Sequence, residues 1–300
     1  MGRHLVSPTH RYVGRDFTDE EIEIIGALCT NSATPTRESI ARAACEALSW
    51  RAQNGALKIM SAKVAFLRMH RDGLITLPPP RSENTNGRAV RYLSPNTQLR
   101  LSDMSPSTLS QIGDLRIHLV QTKKASAIWN QTIASYHYLG YVPLAGAQLR
   151  YLVEADCGFV SALSFGASAW KCAPRDTHIG WDDKTRRSRL HLVVGNARFL
   201  ILPYIQVPNL ASKILAKVTR RLRDDWQVAY GYAPVLVETF VETGRFAGTS
   251  YRAANWIQVG KTQGRGKLDR THAKALPVKD VYLYPLHRAY KTILSTQTSM

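Results

Sequence analysis

The chain has 300 residues, 44% of them hydrophobic, which is enough for two folded domains and excludes a mainly disordered protein. Forty Lys and Arg against 22 acids give a net charge of +18, so a polyanion is the expected partner: nucleic acid first, an anionic membrane second. No apolar run approaches the ~20 residues of a spanning helix, the N-terminus lacks a signal-peptide core, and Cys29, Cys45, Cys157 and Cys172 include no C-x-x-C pair. A reducing cytoplasm is therefore expected, with no membrane partner and neither a zinc finger nor a disulfide framework.

In chain order, Thr18-Asp-Glu-Glu21 is a capping box that opens a helix to about Leu28. Pro35-Thr36 starts a second helix with Ile40, Ala44 and Leu48 at helical spacing. After a polar break at Gln53-Asn54-Gly55, a third helix is expected from about Lys58 to Asp72, with Gly73 as its C-terminal cap. Leu74–Leu77 reads as a short strand stopped by Pro78-Pro79-Pro80. Three helices and a strand outline a small, mainly helical, winged-helix-like domain. Its third helix carries Lys58, Lys63, Arg68 and Arg71 toward a major groove. Ser, Asn, Thr, Pro and Gly clusters over 81–125 read as a linker, with the boundary between domains 1–105 and 106–300 near residue 105.

The second domain is expected to be α/β with a mixed sheet. A helix spans about Ala125–Tyr138. Strands follow at Leu149–Val153, Phe159–Phe165, Leu190–Val194 and Arg198–Leu202, the last two joined by a turn at Gly195-Asn196. A helix from Leu210 to about Leu222, a strand Val235–Val241, a short helix near Tyr251–Ala254, and strands Trp256–Gly260 and Val281–Tyr284 complete it. This order is similar to the acyltransferase fold of the GNAT superfamily, and GTSYRAANWIQVG is similar to its closing helix and strand, which implies Tyr251 as a general acid. The usual R/Q-x-x-G-x-G/A phosphate loop is replaced by IQVPNLASK, without glycine, a departure also seen in the divergent phage DNA-modifying protein Mom.

Across residues 137–266 the ordered pieces HYLGY, GAQLRYLV, APRD, IGWDD, LHLVVGNARFLILP, VPNLASKIL, LVETF, GTSYRAANW and QGRG resemble the DruA family of the Druantia anti-phage systems, also met near bacterial mobile elements. The front segment WRAQNGALKIMSAKVAFLRMHRDGLITLPPP is similar to the start of such proteins. The resemblance implies action on DNA in defence or on a mobile element, beside other defence-system subunits such as a helicase.

Polar groups among apolar strands are costly unless paired or used. Arg175, Asp176, Asn196, Arg198, Asn209, Glu238 and Tyr251 are therefore the expected working groups. In a base-modifying transferase, His137, Tyr138, Asn209, Ser212 and Glu238 would surround the reacting base, with Tyr251 as proton donor. In a nuclease or strand-transfer enzyme, Asp176, Asp182, Asp183, Glu238 and Glu242 would hold metal, or Tyr138 or Tyr251 would be the nucleophile. The third reading is a DNA-binding recruitment module without catalysis. Arg175 with Asp176, and Glu238 with Arg198 or Arg252, could instead be structural ion pairs, and Asp182-Asp183 a solvated turn. Arg175, Asn196, Arg198, Asn209, Arg252, Lys261 and Arg265 are the expected DNA contacts in this domain, with Trp256 stacking on an unpaired base. The cofactor stays open: Mg2+ for cleavage, an acyl donor for transfer, and no metal ligands can be assigned. Walker, H-E-x-x-H and G-x-S-x-G motifs are missing.

Overall fold

A computed structural model describes residues 10–31, 33, 36–80, 106–264 and 276–296. The expected boundary near residue 105 and the candidate Arg265 lie outside the described residues. The chain divides into two compact units, Met1–Ala89 and Val90–Met300.

In the front unit, β1 (His10–Tyr12) and β2 (Arg15–Phe17) form an antiparallel hairpin ahead of α1 (Asp19–Thr30), α2 (Arg37–Ala47) and α3 (Ile59–Arg71). The caps follow the sequence: the Thr18 hydroxyl accepts from the Glu21 N–H, and Thr36 with Ser39 closes a capping box. Phe17, Ile25, Ile40, Phe66 and Met69 meet in one core. Gly73 at φ 79 lets the chain leave α3 in the left-handed region. Leu74–Leu77 is not a strand. Ile75 and Leu77 are buried, but the segment's backbone groups turn to the His70 ring, which meets the Ile75 carbonyl and the Leu77 N–H. A helical unit is thus observed, and its hairpin precedes the helices.

The second unit is an α/β structure. After α4 (Leu109–Ile112) come β3 (Arg116–Leu119), α5 (Lys123–Tyr136), β4 (Gln148–Ala155) and β5 (Gly158–Ala167). Then follow α6 (Ala173–Ile179), α7 (Asp183–Arg189), a 3-10 turn (Leu190–Leu192), β6 (Val193–Ile201) and α8 (Leu210–Tyr230). β7 (Leu236–Glu242), α9 (Thr249–Ala253), β8 (Ile257–Lys261), β9 (Lys279–Pro285) and α10 (Tyr290–Ser295) complete it. The mixed sheet has the order β3-β4-β5-β6-β7-β9-β8, and β6 with β7 is its parallel pair.

The expected turn at Gly195-Asn196 is a correction. β6 runs straight through it, and its register against β5 slips by one residue, so that Ser164 faces Arg198 while Phe165 faces Asn196. Ala197 is the extra residue of this bulge. A bulge leaves ladder groups unpaired, and the Asn196 side chain answers by donating to the carbonyls of Ser164 and Arg198, each at 3.0 Å. Helices α6, α7 and α10 were not legible in the sequence, because each is seven residues or shorter and carries few apolar positions.

Strand alternation sorts the core into two faces. Val194, Val237 and Tyr282 join the large cluster with α8, whose Leu210, Ile214, Val218, Leu222 and Trp226 repeat at helical spacing. Val193, Leu236 and Leu283 point the other way, into a smaller cluster with Ile179, Tyr290 and Leu294. Among the described residues no helix is long and apolar enough to cross a membrane.

Candidate functional site

β6 and β7 pair over only three positions, ending at Gly195 opposite Glu238. Beyond that point the strands part, and a cavity of about 460 Å³ opens between them. Asn196, Ala197 and Phe199 to Ile201 line one side and Thr239 to Val241 the other. Tyr136, His137 and Tyr138 from the end of α5 and the loop Arg245–Gly248 complete the wall. The candidates His137, Tyr138, Asn196 and Tyr251 are brought together here.

The groups around this cavity have fixed roles. Tyr251 donates from its hydroxyl to Asn196 Oδ1 at 2.8 Å, and Thr239 reaches the same hydroxyl at 3.5 Å. Burial raises the Tyr251 pKa, so the phenol keeps its proton and spends it on Asn196. The Asn196 amide is committed as well, to the two carbonyls at the bulge. His137 caps α5, and its Nδ1 accepts from the Leu139 N–H at 3.2 Å, which leaves Nε2 as the protonated nitrogen of the neutral ring. Burial, then Arg198, then Arg245, lower its pKa to about 4. The ring stacks on Tyr138 with centroids 4.9 Å apart, Tyr138 meets Phe246 at 5.2 Å, and the Arg245 guanidinium lies 4.5 Å above Tyr138. Arg198 is half-buried, donating to the Gly140 and Ala197 carbonyls.

Arg175, Asp176 and Glu238 lie elsewhere. Glu238 is on the opposite face of the sheet, with Leu236 and Leu283, under α6. Arg175 has 0% exposure and bonds Glu238, Asp176 and the Ala169 carbonyl, each at 2.8 Å. The other Glu238 oxygen accepts from the Ala169 N–H. Burial raises the Glu238 pKa against the pull of Arg175, whereas the burial of Arg175 is outweighed by Glu238 and Asp176. This is a structural ion network: Glu238 pairs with Arg175, rather than with Arg198 or Arg252. With no exposed surface, Arg175 and Glu238 cannot touch an outside molecule. Nor do Asp176 and Glu238 fit a Mg2+ site, since both already face the same guanidinium. Among the described residues no three His, Cys, Asp or Glu come together as a metal-binding group.

The remaining candidates are scattered. Asn209 is exposed at the start of α8 in the left-handed region, φ 64, with no side-chain cap. The loop before it is glycine-free and enters α8 through Pro208, which has no N–H to offer a phosphate. Asp182 caps α7 through the Thr185 N–H, and Asp183 pairs with Arg186. Arg252 holds the cavity loop, donating to the Ala247 carbonyl and the Tyr282 hydroxyl. Lys261 faces Asp280 at 4.0 Å. Trp256 is buried against Tyr251 and Tyr284, so it does not stack on a base. In the front unit, Lys58, Arg68 and Arg71 are exposed, and Lys63 pairs with Glu38 at 3.5 Å.

Sequence reasoning missed Arg245, Phe246, Thr239 and Phe199 as cavity residues. The legible signal was Gly244-Arg-Phe-Ala-Gly248, a cation and an aromatic ring between two glycines directly after a strand.

A family model described as Druantia protein DruA matches residues 68–276. No curated protein matches the chain. Among solved structures, a GNAT-family acetyltransferase from Streptococcus pneumoniae overlays with a TM-score of 0.38 at 12% identity, covering 58% of this chain and 100% of that one. An N-acetyltransferase from Staphylococcus aureus Mu50 gives 0.35 at 7% identity, with 58% and 99% covered. AAC(6')-Ib in complex with ribostamycin and coenzyme A gives 0.39 at 10%, with 62% and 99% covered. These are loose likenesses of fold.

Proposed function

The chain belongs to the Druantia protein DruA family, and on that premise we propose that it acts on DNA in anti-phage defence, its second unit receiving a nucleotide in the cavity between β6 and β7. The observation that carries this reading is the wall of that cavity: Tyr136, His137, Tyr138, Phe199, Phe246 and Tyr251 surround it, with the Arg245 guanidinium among them. Stacking on aromatic rings beside a cation is how proteins hold an unpaired base, at about 1–3 kcal/mol per base. A volume of about 460 Å³ lies within the range of small-ligand sites. An enzyme that works on a base must take it out of the helix into such a pocket.

The chemistry this arrangement favours is handling of the base rather than metal-assisted cleavage. Of the carboxylates proposed for metal, Asp176 and Glu238 are paired with Arg175, Asp183 pairs with Arg186 and Asp182 caps α7. His137 offers a proton on Nε2, and Tyr251 is anchored to Asn196. In the front unit, α3 presents Met60, Val64, Arg68 and Arg71 along one exposed stripe. This stripe suits a major groove, with apolar side chains toward bases and cations toward phosphates. Other defence-system subunits complete the expected set of partners.

The test is a titration of single- and double-stranded DNA followed by intact mass and denaturing gel of the strands, with and without a small-molecule extract. Tighter binding of unpaired DNA that falls in Tyr138→Ala and Phe246→Ala supports the cavity reading. Increased strand mass would make the protein a base-modifying enzyme, and unchanged strands a binding component. Shortened strands, or binding indifferent to both variants, would overturn the proposal.

A further inference from the structure

Two guanidiniums have no carboxylate partner among the described residues: Arg245, in the wall of the cavity, and Arg198, on the strand β6 that borders it. Arg245 is exposed and makes contacts only with the rings of Tyr138 and Phe246, at 4.5 and 5.7 Å, among the described residues. Arg198 spends its Nε and one terminal nitrogen on the Gly140 and Ala197 carbonyls and forms no ion pair among the described residues. Arg245 lies over the Tyr138 ring that stacks on His137, and Arg198 donates to the carbonyl of Gly140, whose own N–H bonds the His137 carbonyl, so the three groups share one region. Glu242 also acts on Tyr138, and among the described residues its side chain bonds neither arginine. Unpaired like charges held together are costly, and a bound anion relieves that cost.

We propose that Arg245, Arg198 and the Nε2–H of His137 form a phosphate subsite at the mouth of the cavity, holding the phosphodiester of the nucleotide whose base lies against Tyr138. This inference rests on the nucleotide reading given above and adds a chemical requirement, that the ligand be anionic beside its base. Geometry supplies the reason for each member. The Leu139 N–H fixes the His137 tautomer, so the imidazole is a donor and accepts nothing from the ligand. The Arg245 guanidinium lies 4.5 Å from the centre of the Tyr138 ring and makes no side-chain hydrogen bond among the described residues, so its N–H groups can meet phosphate oxygens. Arg198, anchored by two backbone carbonyls next to the β6 bulge, is pre-oriented rather than mobile. Neither the sequence motifs nor the glycine-free loop before α8 marks this place. It lies where the end of α5 meets the loop after β7.

The experiment uses the full chain and two probes, a dinucleoside monophosphate and its neutral methylphosphonate analogue, followed by NMR titration. The charged probe should bind about tenfold tighter than the neutral one, as one charge-assisted contact set implies. Arg245→Ala should lose most of that ratio. His137→Phe, which keeps a ring but no donor, should lose part of it. Equal binding of the two probes by the wild type, or an unchanged ratio in Arg245→Ala, overturns the phosphate subsite and leaves the base pocket standing. If Tyr138→Ala leaves the neutral probe's binding unchanged, or neither probe binds, the nucleotide reading itself fails, and the subsite with it.

Discussion

His137 directs one ring nitrogen at a backbone N–H and is enclosed by Arg198 and Arg245, so burial and both cations act against its protonation. Its folded pKa of about 4 lies below the ordinary 6.5, so the unfolded chain takes up the proton first as the pH falls. Stability attributable to His137 is therefore full above about pH 6.5 and is lost progressively toward pH 4. Urea midpoints at pH 7 and pH 5 should differ more in the wild type than in His137→Asn. That difference isolates His137 from His178 and His191, which are also depressed by burial. Equal slopes would refute the assignment. At Glu238, loss of the carboxylate leaves Arg175 buried with one acid in place of two. Glu238→Ala should lower stability by about 3–5 kcal/mol, the usual consequence of breaking a buried pair. Glu238→Gln should cost less, because an amide oxygen still accepts from Arg175. A Glu238→Ala protein that melts like the wild type would show the pair to be dispensable.

Among elements, the parting of β6 and β7 decides where the cavity lies. The ion network sits at the last paired position on one face, and the Asn196–Tyr251 bond begins the opening on the other. Asn196→Ala should expose two strand carbonyls and the Tyr251 hydroxyl together, costing on the order of 1–3 kcal/mol and weakening binding of unpaired DNA in the same variant. The wall after β7 turns at Gly248, φ 69, where an added Cβ would fall 2.2 Å from the Tyr282 hydroxyl oxygen. Gly248→Ala should therefore shift the Arg245–Phe246 loop, and loss of binding without unfolding would show it. On α3, Arg68→Ala and Arg71→Ala should each weaken DNA binding alike across sequences and flatten its salt dependence by about one unit of slope. An unchanged slope in both would remove α3 from the DNA interface.

On the scale of the whole molecule, the net charge of +18 makes attraction to a polyanion general, whereas a pocket makes it selective. In cells carrying the complete defence system, Tyr138→Ala and Arg245→Ala chains that accumulate normally should lose protection against phage, read as plating efficiency. Full protection by both would mean that the cavity is not used.

Much of the architecture was already written in local pattern. Thr18, Thr36 and Gly73 set helix ends, helical spacing marked α8, and short apolar runs marked β4, β5, β7 and β9, because caps, spacing and runs depend on neighbours in sequence. Short helices such as α6 and α10 carry too few turns to show a period, and Leu74–Leu77 has strand-like residues but no ladder partner. The sequence by itself determined that costly polar groups sit among buried strands, and that those groups had to be paired or used. It could not say which. Strand alternation sends Glu238 and Thr239 to opposite faces, and only the packed sheet shows Arg175 closing over the first while Tyr251 and Asn196 meet the second. The division between structural pair and cavity wall was made by tertiary contacts between residues as far apart in the chain as Arg175 and Glu238, or Tyr138 and Arg245. Burial and distance, which set the value of a charge, exist only once those segments have come together.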